Sequence, residues 1–415
     1  MTRYLIVTSM AVAIISLCSC VQNNRPFWQG DLKRPNYSST HTFTKLKSQD
    51  TESTGVIVVE FDDQGDFWDR TQLSLAIRKI QSAKSPLVVT YVHGWHNNAD
   101  PKQDGRDLDK FKIFVQRLKN SPGDRHEVIG VYLGWRGESS NIPGLRQLTF
   151  WNRKEGADRV SDGSMGYAMH RVASAARKTS GGRSVLIGHS FGGRIVERVV
   201  AMNLIARNQS LGDSDFGSSI LPADFIVLIN PASESLMAKQ IQIAIQATPR
   251  DKPNLVAIGS KNDTANGNLW PAGALLQRSV GLGLLKEPDR KYEFGSDIVN
   301  QRDFLTKTTT NNPVLFTHGF STNRSNQDGE RKLIVGDQTY YLQPDIDMDF
   351  RIPSRGQKSY GYWIFQVDEN ILSGHGNGSK TVFSDEMQLL VTALMQEANS
   401  FGVAGAARAN VITRE

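Results

Sequence analysis

The chain is short of cysteine. It has two in 415 residues, Cys18 and Cys20, and both lie in the first twenty positions. The body therefore folds without disulfides. A cysteine nucleophile, cysteine-bound zinc and iron–sulfur chemistry are excluded there. Excess charge of one sign is also lacking. The net charge is +6, with basic and acidic residues interspersed, which describes a solvated mixed surface and no nucleic-acid footprint. The body has no apolar run long enough to span a bilayer. It shows no fixed-period repeat, no phosphate-binding glycine loop, no metal-ligand set and no cofactor motif. His93 and His96 are three apart with no carboxylate cluster beside them, which is weak support for a metal site. The expected cofactor and metal content is none.

What is present begins at the N-terminus. Met1-Thr2-Arg3 is short and basic, Tyr4 to Leu17 carries no charge, and Leu17-Cys18-Ser19-Cys20 follows. A basic start, a short apolar stretch and small residues at the break describe a secretory signal. Leu17-Cys18-Ser19-Cys20 resembles a bacterial lipobox. That resemblance implies cleavage after residue 19 and a lipid on Cys20. Val21, in place of an aspartate, implies the outer membrane. Residues 20–54 are polar and read as a lipidated terminus and tether. The body is 55–415, enough for one large α/β domain.

Within the body, apolar runs alternate with helical periodicity. Strands are expected at 56–61, 87–92, 128–133, 184–187, 225–229, 255–258 and 362–367. Helical patterns fall between several of them, with a last helix at 383–399. Strand runs apolar throughout, separated by helices, imply a mostly parallel, doubly wound sheet with helices on both faces. The stretch 264–355 breaks this rhythm. It is rich in Gly, Asn, Thr and Pro, with one apolar patch at 274–285. It reads either as a lid near the site or as an excursion packed on the sheet edge.

The sharpest motif is Gly188-His189-Ser190-Phe191-Gly192-Gly193, directly after Ser184-Val185-Leu186-Ile187. A buried strand runs into a tight turn, Ser190 stands at its apex, and an amphipathic helix begins at once. Gly188 and Gly192 suit a turn with no room for a Cβ. The helix N-terminus favours developing negative charge. His189 follows the strand's alternation and is expected to point away from Ser190. Two Gly-Trp pairs, His93-Gly94-Trp95 and Gly134-Trp135-Arg136-Gly137, end other strands, and Phe61-Asp62-Asp63-Gln64-Gly65 follows the first. Trp95, Trp135, Trp151 and Trp270 fall near strand ends, as pocket lining or as core.

On these residues the chain resembles the α/β-hydrolase-fold serine hydrolases over about 55–400, and within them a bacterial lipoprotein-like group. The resemblance implies a nucleophile, acid and base in the chain order Ser, Asp, His. It points to Ser190, to Asp263 after the strand 255–258, and to His375 after the last strand. His318 also follows an apolar run and is the rival base. Asp224 precedes its strand and falls at the wrong end of the sheet. His170 sits on a helix. The resemblance further implies an oxyanion hole from the amides of Trp95 and Phe191, with His93 and Gly94 shaping the turn. The implied activity is cleavage of carboxylic esters, esterase- or lipase-like, through an acyl-enzyme. Acyltransferase, thioesterase or peptidase work on the same scaffold is the alternative. A non-catalytic binding lipoprotein is the reading from a different class. The implied partners are an acyl ester and, through Cys20, a membrane.

Overall fold

The computed structural model describes residues 25–28, 56–101, 106–119, 126–138, 149–209, 221–246, 253–270, 291–294, 297–323, 331–335, 338–342, 347–351, 361–376 and 380–398. Residues 1–19, Cys20 and the patch 274–285 lie outside these. In chain order the first elements are β1 (Val56–Glu60), α1 (Arg70–Ser82), β2 (Pro86–Val92), α2 (Asp107–Lys119), β3 (Glu127–Gly134), α3 (Phe150–Asp162) and α4 (Ser164–Lys178). Then come β4 (Arg183–His189), α5 (Phe191–Gln209), β5 (Phe225–Ile229), α6 (Ser235–Gln246) and β6 (Leu255–Ser260). The hairpin strands β7 (Lys291–Phe294) and β8 (Asp297–Asn300) are followed by α7 (Gln301–Thr306). β9 (Gly319–Asn323), β10 (Arg331–Val335), β11 (Gln338–Leu342), β12 (Asp347–Arg351), β13 (Tyr362–Val367) and α8 (Asp385–Glu397) follow among the described residues.

Seven strands form one sheet in the order β1-β3-β2-β4-β5-β6-β13, and every pairing is parallel. Parallel neighbours need crossovers, and helices supply them. Successive side chains of each strand enter opposite cores. Val88, Leu186, Ile226 and Ala257 pack with α1, α3, α4, α5 and α6. Val89, Ile187, Val227 and Val256 pack with α2 and α8 on the other face. Burial on both faces is why these strands are apolar without alternation. α1 shows the local logic. Asp69 caps it by accepting from Thr71 N–H, and Leu73, Ala76 and Ile80 fall at helical spacing on its buried face.

The chain leaves β2 toward one edge of the sheet and β4 toward the other. Their carboxyl ends are neighbours, so a crevice opens between the two diverging connections. His93-Gly94 and Ser190 lie there.

Within 264–355 the described residues are more ordered than the composition suggests. β7 and β8 form an antiparallel pair, and β11-β10-β12-β9 form a second sheet. Between them, residues 303–320 are packed against the main sheet. Phe304, Thr308, Thr309, Thr310 and Asn312 are fully buried. Thr317 N–H donates to Ile364 O at 2.9 Å, alongside β13.

The tether 20–54 likewise holds a docked piece. Phe27 and Trp28 donate their backbone N–H groups to the two carboxylate oxygens of Glu60, both at 2.9 Å. Trp28 is buried, and its indole N–H donates to Ala99 O.

The motifs after β1 and β3 also have a structural role. Asp62 Oδ1 accepts from Gln64 and Asp66 N–H, closing the turn. The Asp63 carboxylate pairs with both Arg136 and the buried Arg153 of α3. That group of charges ties the exit of β1 to the exit of β3 and to α3.

Candidate active site

β4 delivers Ser190 to the crevice in a conformation that side-chain-bearing residues avoid, with φ at +55°. The turn is held by its own backbone. Ser190 N–H donates to Ile229 O, and Ser190 O accepts from Arg194 and Ala232 N–H, each at 3.0 Å. The glycines permit this closeness. A Cβ on Gly192 would stand 2.1 Å from Val92 O, and one on Gly94 would stand 2.8 Å from the Ser190 Cβ. Gly188 faces Gly192 across the same turn.

Three loops meet at Ser190. Its Oγ lies 2.6 Å from His375 Nε2. His375 Nδ1 lies 2.8 Å from Asp263 Oδ2. An Nδ1 proton donated to the carboxylate leaves Nε2 as acceptor for the serine hydroxyl. Asp263 follows β6 and its side chain is fully buried. Burial pushes its carboxyl up. The charge of His375 and hydrogen bonds from His375 and from Asn266 N–H outweigh that, and hold it below the ordinary carboxylate range. His375 follows β13 between Gly374 and Gly376, both at positive φ.

Asn230, directly after β5, joins the Asp263 loop to the His375 loop. It is fully buried and has φ of +43°. Its Oδ1 accepts from Ser260 N–H at 2.8 Å, and its Nδ2 donates to Gly374 O at 3.1 Å. Its carbonyl accepts from Asn266 Nδ2 at 2.9 Å. Nothing in the sequence reading singled it out. The available signal was an asparagine, the residue most tolerant of positive φ after glycine, closing a buried strand.

His189 departs from expectation. Alternation predicted a side chain turned away, but its ring centre lies 5.4 Å from that of His375. Its Nε2–H donates to His375 O at 2.7 Å. The strand ends at this residue, so the alternation that places Val185 and Ile187 says little about how its side chain meets a neighbouring loop. Burial lowers its pKa.

The turn after β2 is braced by His93. Its ring stacks near-parallel with those of Tyr132 and Trp135. Nδ1 donates to Gly94 O at 3.0 Å, and Nε2 accepts from Trp135 N–H at 3.1 Å. Burial drives its pKa down to about 4, so it stays neutral and keeps that acceptor. Phe191 is the first residue of α5, where a backbone N–H has no intrahelical acceptor. Trp95 follows Gly94, which packs against Ser190.

The remaining candidates lie elsewhere. His318 is buried against Trp363, with Thr317 Oγ1 on its Nδ1, and burial lowers it to about 4. Asp224 pairs with Arg177 and accepts from Ser184 N–H at the entrance to β4. His170 meets Asn203 between α4 and α5. Of the tryptophans, Trp135 is core beside His93. Trp95, Phe150, Phe191, Trp151 and Trp270 form a continuous aromatic cluster next to Ser190, with ring centres 5.0–6.1 Å apart and with Phe191 and Trp270 in the core. Among the described residues no group of three His, Cys, Asp or Glu side chains is placed to hold a metal. No family model matches the chain, and no curated protein matches it.

Proposed function

We propose that this protein is a serine hydrolase of the α/β-hydrolase fold that cleaves carboxylic esters and is anchored by a lipid on Cys20 in the cell envelope, at the outer membrane. The observation that carries the reading is the unbroken chain Ser190–His375–Asp263, at 2.6 and 2.8 Å. A serine hydroxyl alone is a poor nucleophile and needs a base held in one tautomer. His375 Nε2 takes the Ser190 proton as Oγ attacks the acyl carbonyl. Asp263 keeps Nδ1 protonated and stabilises the imidazolium. The amides of Phe191 and Trp95 receive the oxyanion. Collapse expels the alcohol, which takes the proton from His375. Water then repeats the sequence and frees the acid. No step requires a further cosubstrate.

A fluorescent fluorophosphonate tests this directly. The purified domain is expected to label on Ser190, and Ser190→Ala and His375→Ala are expected not to label. A folded wild-type protein that resists labelling would overturn the hydrolase reading in favour of a binding lipoprotein.

A further inference from the structure

We propose that the strap Arg25–Trp28 holds the Ser190 edge of the sheet against the membrane carrying the Cys20 lipid, and that the substrate is an acyl ester resident in that membrane. The proposal rests on the hydrolase reading for its substrate and on the lipid on Cys20 for its orientation.

The strap is built into the fold. Glu60 is buried at the carboxyl end of β1, and each of its oxygens accepts one backbone N–H of the strap. Gln72 donates from Nε2 to Trp28 O at 3.3 Å, while its Oε1 accepts from Glu60 N–H at 2.7 Å. Trp28 reaches Ala99, in the loop that leaves β2 after His93 and Gly94. Without the strap, a buried carboxylate would lose both of its backbone donors.

The place of attachment decides the orientation. Glu60 and Ala99 lie at the same edge of the sheet as Ser190. β1 and β4 are three strand spacings apart, about 14 Å. Only five residue steps separate Cys20 from Arg25, a reach of at most about 18 Å. The seven residues of β4 alone run about 23 Å. A chain that starts from the carboxyl edge therefore cannot carry its lipid to the opposite edge. Of the two ends of the sheet, only the catalytic one then lies within the lipid's reach. Arg25 sits where the chain emerges, over the Phe27 ring, and its charge suits anionic headgroups.

The test uses the full lipidated protein in vesicles of phosphatidylethanolamine and phosphatidylglycerol. The mature chain has no cysteine besides Cys20, so single labels can be introduced at exposed sites. Gln64→Cys marks the catalytic edge and Lys84→Cys the opposite edge. Energy transfer to a headgroup dye is expected to be about twofold or more stronger from position 64, given edges roughly 20 Å apart. A flexible insert of about 30 residues between Asn24 and Arg25 lengthens the reach severalfold. It is expected to erase that difference. It is also expected to lower turnover of a vesicle-embedded long-chain ester about tenfold, since tethering raises the local concentration of substrate, with hydrolysis of a soluble short-chain ester unchanged. Equal transfer from the two positions, stronger transfer from 84, or the absence of lipid on Cys20 by mass spectrometry would each overturn the orientation. Unequal transfer with no Ser190 labelling would leave the orientation standing and remove the hydrolase. A linker that spares the embedded ester would overturn the substrate class alone.

Discussion

At the scale of single residues, the site depends on side chains held in conformations they do not favour. Asp263→Asn keeps the shape but offers an amide where a carboxylate stood. The His375 tautomer is then no longer enforced, and kcat for a short-chain ester is expected to fall about 10³–10⁴-fold with the fold intact. Undiminished turnover would remove Asp263 from the proposed triad. Asn230→Ala removes the Asn230 partner of the buried Ser260 N–H and of the half-buried Gly374 C=O. An unmet buried group costs about 1–3 kcal/mol. Loosening the loops that present Asp263 and His375 is expected to cost kcat about 10–100-fold as well. A urea titration beside the kinetics separates the two effects, and loss of stability without loss of kcat would confine Asn230 to a structural role. Ser190, Asp263 and His375 were legible because glycines and strand ends punctuate the chain around them. Asn230 and His189 were not. Their roles exist only where loops 144 and 186 residues apart in sequence meet in space.

Elements were legible where one face of a segment is apolar, and hidden where charge is buried. α3 shows no apolar stripe because its buried face includes Arg153, Gly156 and Ser161. Arg153 is 2% exposed and is paired with Asp63 across the turn after β1. Asp63→Ala strands that cation, and the loss expected in thermal or urea unfolding is about 3–5 kcal/mol. A loss under about 1 kcal/mol would mean that Arg153 finds other cover. The strap has its own signature. Burial, the dominant influence, pushes Glu60 up to about 7 from an ordinary 4.5, with Asp100 adding to it against the donors of Phe27, Trp28 and Gln72. A carboxyl raised in the folded state binds more protons there than in the unfolded chain. Its stabilising contribution is present below about 4.5 and is lost as pH rises through about 7. Wild type is therefore expected to lose up to about 3 kcal/mol relative to Glu60→Gln across that window. Parallel stability curves for the two proteins would contradict this. The short strands of 291–351 escaped notice for a different reason. They are four or five residues long, set among glycine and asparagine, and too brief for a period to show.

For the molecule as a whole, the parallel sheet was readable because two covered faces demand continuous apolar strands, and seven of them survive in the sequence. The depth at which 303–320 is packed was not, since Thr308, Thr309 and Thr310 look like loop residues. They are buried by partners that composition cannot reveal. Thr309 and Tyr362 both donate to the buried carboxylate of Glu197, on the helix that follows the nucleophile. This long-range architecture has a consequence for the birth of the protein. The serine is synthesised 185 residues before the histidine that would activate it. β13, which leads to His375, is the last of the seven sheet strands in chain order. A chain still emerging from the ribosome or threading through an export channel thus holds an inert hydroxyl. Under the proposed chemistry, no fragment released early can attack the lipids it passes. On that proposal the protein could act on a membrane only after His375 has joined Ser190, and by then the strap and the proposed lipid would have fixed which membrane that is.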